Sequence, residues 1–213
     1  MLRSFTTWGV GVALTIIGLA ANSQSAIALT QYPFETTYNG QTTLTPITQN
    51  IFRISSQGNN INAPYGLNRL TNISYGEFLP STGTITIDPD PAQFRLENLA
   101  FGSFTLFGQG EDRLFGTTSG LAVLDFPNAV GRVTNTISIT GGSGRFRGAT
   151  GTLQLSENLT LNNPDITAPV TGVPKISGTF QTVPEPNQTT ALLCIGVIGF
   201  SMLNRWTGFN SKM

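Results

Sequence analysis

From Phe34 to Gln181 apolar and polar residues alternate in short runs broken by Gly, Pro, Asn and Asp, the period-two pattern of half-buried strands joined by tight turns. Phe34–Tyr38 and Gln41–Thr45 read as a hairpin about Asn39-Gly40, a pair that tolerates the positive φ angles of a type I′ turn. Further strands are predicted at Ile51–Ser56, Thr71–Phe78, Thr84–Ile87, Ala92–Leu96, Phe104–Gly108 and Arg113–Asp125, the last bent at Gly120. Arg132–Thr140, Thr150–Leu161 and Lys175–Gln181 complete the series, and Asn59–Leu70 is a loop broken by Pro64 and Gly66. No long amphipathic helix interrupts the pattern. The expected fold is all-β: an antiparallel β-barrel of about eight strands, whose closure removes exposed edges, with a two-sheet β-sandwich as the alternative.

The two ends break this pattern. Behind Arg3, Trp8–Ala21 is a 14-residue apolar run, followed by polar Asn22–Ser25 and the small residues Ala26 and Ala28 at signal-peptidase spacing. This predicts a signal helix in residues 1–28, cut after Ala28 by signal peptidase. At the other end Pro184-Glu185-Pro186 and a polar spacer precede the apolar run Ala191–Leu203, 13 residues long, with Arg205 behind it. As a helix that run would reach about 20 Å, short of the roughly 30 Å hydrocarbon core. The tail, residues 184–213, resembles a PEP-CTERM sorting signal in its tripeptide, short hydrophobic helix (191–203) and following basic residue. The resemblance implies a bacterial envelope protein whose tail is read by an exosortase-like sorting enzyme. The expected location is therefore the cell envelope or extracellular matrix, with weak or transient membrane anchoring through the C-terminal segment.

Between the ends, residues 29–183 are enough for one domain. They hold eight basic and ten acidic residues, so no clustered positive charge exists to meet nucleic-acid phosphates, and nucleic-acid binding is set aside. The chain has no histidine, and its one cysteine, Cys194, lies in the tail. Ser-His-Asp, Cys-His and thiolate-metal chemistry are thereby excluded from the domain, and neither a metal nor a cofactor is expected.

The densest glycine cluster is Gly141-Gly142-Ser143-Gly144-Arg145-Phe146-Arg147-Gly148-Ala149. This stretch resembles a turn of dirigent and allene-oxide-cyclase-like barrels, and the resemblance implies an eight-stranded antiparallel barrel with the stretch turning between two strands. Read from the residues, consecutive N–H groups there could cradle an anion beside Arg145 and Arg147. The alternative is a tight turn with both arginines in solvent and Phe146 in the core.

A second candidate site comes from alternation. One face of Thr152–Leu161 carries Leu153, Leu155, Glu157, Leu159 and Leu161, a carboxylate in an apolar row, and Asn135 occupies a similar place among Val133, Ile137 and Ile139. A carboxylate on an inner wall would have its charged form disfavoured and could act as an acid or base, with Asn135 beside it. A bulge that turns Glu157 to solvent, or a wet barrel mouth, is the competing reading. Two functions follow. The first is a non-enzymatic envelope domain that binds an envelope polysaccharide, lipid or surface protein. The second is a small-molecule-binding barrel, holding an apolar ligand, with histidine-free isomerase, cyclase or stereo-guiding activity.

Overall fold

The computed structural model describes residues 29–161 and 165–182. The expected signal segment, the sorting tail and their expected helices lie outside the described residues. Eleven strand segments run β1 Thr30–Thr37, β2 Asn39–Pro46, β3 Ile51–Asn59, β4 Arg69–Leu79, β5 Thr84–Asp88 and β6 Ser103–Phe107. They continue as β7 Arg113–Asp125, β8 Val130–Ser143, β9 Thr150–Thr160, β10 Val170–Gly172 and β11 Lys175–Thr182. Together they form a closed, antiparallel, eight-stranded β-barrel, not a sandwich.

Eleven segments make eight positions because three pairs share one place each. β1 pairs β11 and β2 pairs β10 in a single continuous register, from Thr30 opposite Thr182 to Thr42 opposite Val170. β5 and β6 both lie between β4 and β7, one toward each end of the barrel. The chain leaves the wall after Asp88 and re-enters at Ser103, and the excursion is pinched where Gly102 N–H donates to Pro89 O at 2.7 Å. β8 joins β7 to β9, and β9 meets β10 and β11 to complete the ring.

Two expectations of local structure are corrected. Asn39-Gly40 is no hairpin turn: the chain runs straight through it from β1 into β2, because both segments pair with the distant Val170–Thr182 rather than with each other. Tyr38 anchors the join, with its N–H donating to Pro174 O at 3.0 Å and its buried hydroxyl to Leu67 O at 2.6 Å. Ala92–Leu96 is not a strand. Pro91–Phe94 is a 3-10 turn with Pro91 pre-set at its start, the Asp90 carboxylate accepting from Ala92 N–H at 3.0 Å, and Arg95 in the left-handed region. This excursion covers the outer face of β4, where Tyr75 is buried and donates to Ala100 O at 2.6 Å.

The interior is built in layers. One end is packed solid by Phe34, Tyr38, Leu114, Ile137, Phe146 and Phe180 among others. The other end is lined by a second apolar cluster that includes Leu44, Ile54, Ile85, Ile87 and Leu124. Alternation places most of both clusters, since every second residue of each strand enters the barrel, while the turn residue Phe146 and Leu67 and Ala63 from the loop before β4 plug the solid end.

Candidate functional site

Between the two apolar layers the inward positions turn polar on strand after strand. On β4 Leu70 is followed inward by Asn72 and Ser74; on β7 Leu114 gives way to Thr118 and then Ala122. On β8 Asn135 lies between Ile137 and Val133, on β9 Glu157 lies between Leu155 and Leu159, and Thr42 and Ser56 continue the belt on β2 and β3. The belt borders a cavity in the lumen with about 100 Å³ open to the centre of a water molecule, walled otherwise by Leu44, Ile54, Ile85, Ile87, Leu124 and Leu159. Asp165, Ile166 and Val170 also line this cavity.

The belt is incompletely satisfied. Thr42 Oγ1 donates to Ser56 Oγ at 2.9 Å, and Asn72 Nδ2 donates to Ser74 Oγ at 3.3 Å. Asn72 Oδ1, Thr118 Oγ1 and Asn135 Oδ1 are buried with no hydrogen-bond partner, although their residues are only 9%, 2% and 6% exposed. Each such orphan in a dry interior costs about 1–3 kcal/mol, and the residues that carry all three line one cavity.

Glu157 keeps its place because β9 pairs β8 without a register shift, with Glu157 opposite Val133 and Leu155 opposite Asn135. No bulge rotates it to solvent. Its Oε1 lies against Gly172 of β10, occupying the space where a β-carbon would otherwise stand. Asn135 repeats the device one strand away, its Oδ1 lying over Gly120, the residue of β7 directly opposite. Burial pushes the Glu157 carboxyl up from its ordinary 4.5 to about 7, with no cation beside it to oppose the shift. Half protonated near neutral pH, it can donate or accept a hydrogen bond.

Arg145 and Arg147 are exposed and lie on the glycine turn, not in the lumen. The turn does cradle an anion, and the anion is internal. Asp112, at the tip between β6 and β7, accepts from Arg145 N–H at 2.9 Å and from Arg145 Nε at 2.6 Å. The Arg145 backbone N–H, followed by the guanidinium, holds the Asp112 carboxyl below its ordinary value. Arg145 Nη2 also donates to Tyr65 O at 3.0 Å, while Phe146 enters the core.

Sequence reasoning singled out Glu157 and Asn135 but missed Asn72, Ser74 and Thr118. The signal was present, since Leu70-x-Asn72-x-Ser74 and Leu114-x-Gly116-x-Thr118 each break an inward apolar row with polar residues. On the outer wall, register pairs Asn39 with Asn59 and Gln41 with Gln57, and these amides line an open polar groove with Asn158 and Thr171. Comparison of the chain with protein-family models, with curated proteins and with solved structures finds no match.

Proposed function

We propose that this chain is an exported, non-enzymatic envelope β-barrel protein that holds a small, mainly apolar molecule in its lumen. The three buried, unpartnered oxygens of Asn72, Thr118 and Asn135 on the walls of one apolar cavity carry this reading. An apolar body would cover Leu44, Ile54 and Leu124, and a polar group on the ligand would meet the belt. In this reading the signal segment ending at Ala28 directs export. The tail, with Pro184-Glu185-Pro186, the 191–203 hydrophobic segment and Arg205, hands the protein to an exosortase-like enzyme. The exposed amide pairs Asn39–Asn59 and Gln41–Gln57 suit a neutral envelope polysaccharide outside the barrel.

Glu157 supports a second reading. A carboxyl held near 7 in an apolar chamber can move a proton on a bound substrate, which is the chemistry of a histidine-free isomerase or cyclase. One experiment addresses both. The full gene is expressed in an envelope-bearing bacterial host, and the exported protein is recovered and weighed intact under native conditions before and after solvent extraction.

The expected result is a polypeptide beginning at Leu29 with an extractable small molecule at one per chain, lost when Ala122→Phe fills the cavity. An intact mass equal to polypeptide alone, unchanged in the presence of offered apolar molecules, removes the lumen reading. Recovery of an offered ligand in altered covalent form, by parent but not by Glu157→Gln, selects the enzyme. Equal retention in the envelope after replacing Pro184-Glu185-Pro186 with alanines removes the sorting role of the tripeptide.

A further inference from the structure

We propose that the lumen selects a cationic amine, a molecule with an apolar body and one protonated nitrogen, and that Glu157 is its counter-charge. The inference rests on the lumen-binding reading and adds the chemistry of the ligand's polar end. Among the described residues, the charged side chains lining the cavity are two acids, Glu157 and Asp165, with no lysine or arginine. The three unpartnered buried atoms are all oxygens: two amide carbonyls, which only accept, and one hydroxyl. An alkylammonium brings three N–H donors and no acceptor, so it is complementary to this set, whereas a carboxylate or phosphate would meet acidic oxygens.

The placement of the acid fits the same ligand. Glu157 and Asn135 are diagonal neighbours across the β8–β9 seam, and both residues line the cavity. The two oxygens lean apart, Glu157 Oε1 toward Gly172 of β10 and Asn135 Oδ1 toward Gly120 of β7, so Glu157 is the group to which the ammonium nitrogen donates. A buried ammonium is tolerated only when paired with charge and hydrogen-bonded, and Glu157 has no hydrogen-bonding partner of its own among the described residues. The elements around it supply no competing charge. β8 presents Val133 and Asn135, β10 presents Gly172, and Pro174 follows, while Asp165 already accepts from Thr167 N–H and Thr167 Oγ1.

The charge state of Glu157 then becomes part of recognition. A carboxyl titrating near 7 in the empty lumen must ionise to pair with the amine, so binding releases a proton and strengthens as pH rises from 5.5 to 8. An alkylamine stays protonated throughout that range, as lysine does. Hexylamine and hexan-1-ol are matched probes, alike in chain and different in charge.

The test titrates both probes into the exported protein by calorimetry at pH 5.5 and 8, in two buffers of different ionisation enthalpy. Hexylamine should bind at least about 10-fold tighter at pH 8, releasing a proton near pH 6.5, and Glu157→Gln should abolish both the preference and the release. Hexan-1-ol should bind parent and variant alike at either pH. If hexan-1-ol binds parent as tightly as hexylamine at pH 8, or if Glu157→Gln leaves hexylamine binding unchanged, the amine inference fails and the lumen reading survives. If neither probe binds, the lumen reading itself falls.

Discussion

The Glu157 carboxylate lies on the bare Cα of Gly172 in the neighbouring strand, in space that any side chain at 172 would claim. A β-carbon at 172 would collide with Oε1, and the collision is with the mobile end of a side chain rather than with backbone. Gly172→Ala should therefore destabilise the barrel through Glu157. In a Glu157→Ala background the same substitution should cost less, with a coupling of about 0.5–2 kcal/mol. Urea titrations of the four proteins in this double-mutant cycle measure it, and equal costs in both backgrounds would separate the two residues.

Glu157 also sets a pH dependence. The group titrates near 4.5 when unfolded and near 7 in the barrel, so between these values the folded state binds more protons than the unfolded state. The stability of the parent relative to Glu157→Gln is thus fully present below pH 4.5, falls as pH rises to 7 and is flat above it. At pH 8 the variant should be the more stable, by on the order of 2 kcal/mol after allowance for water in the lumen. Denaturant titrations at pH 4.5, 6 and 8 check the sign, and a difference independent of pH would mean an ordinary solvated carboxylate.

Asp112 ties the glycine turn to the β6–β7 tip. Asp112→Ala removes both hydrogen bonds to Arg145 and should cost about 1–2 kcal/mol. Because this carboxyl titrates below its ordinary 3.8, its contribution is present above that value and is lost as pH falls below it. Amide exchange should quicken at Arg145 and Ala149 in the variant, whose N–H groups lie in this turn. Unchanged exchange there would make the contact incidental.

The Tyr38 hydroxyl and the Leu67 carbonyl form a buried pair at the solid end of the barrel. Tyr38→Phe keeps the ring and orphans the carbonyl, for a loss of about 1–2 kcal/mol. The variant should bind lumen ligands as the parent does, because Tyr38 lies outside the cavity lining. Thermal melts and probe titration on the same preparations read the two effects separately.

The sequence alone determined the all-β class, most strand positions and the apolar rows that Glu157 and Asn135 interrupt, because these depend on a period of two that is local to each strand, whereas the unbroken β8–β9 register decided that Glu157 is not turned out by a bulge. It also limited the chemistry, since a chain without histidine and with one tail cysteine cannot build the commonest catalytic groups. Tertiary structure decided the partners. Asn39-Gly40 has the local chemistry of a turn, yet it stays extended because β3 on one side, through Asn59 and Gly58, and β10 and β11 on the other, more than 130 residues away, supply the ladder along which it runs. Asp90 and Pro91 turned an alternating stretch into a 3-10 cap, which no periodicity reveals. The glycine turn found its anion in Asp112 of another hairpin. The belt is the clearest case: Asn72, Thr118, Asn135 and Glu157 lie on four different strands, and only closure of the ring brings their isolated polar breaks to one level. Alternation tells each side chain which way to point, and the registers between distant strands decide what it meets there.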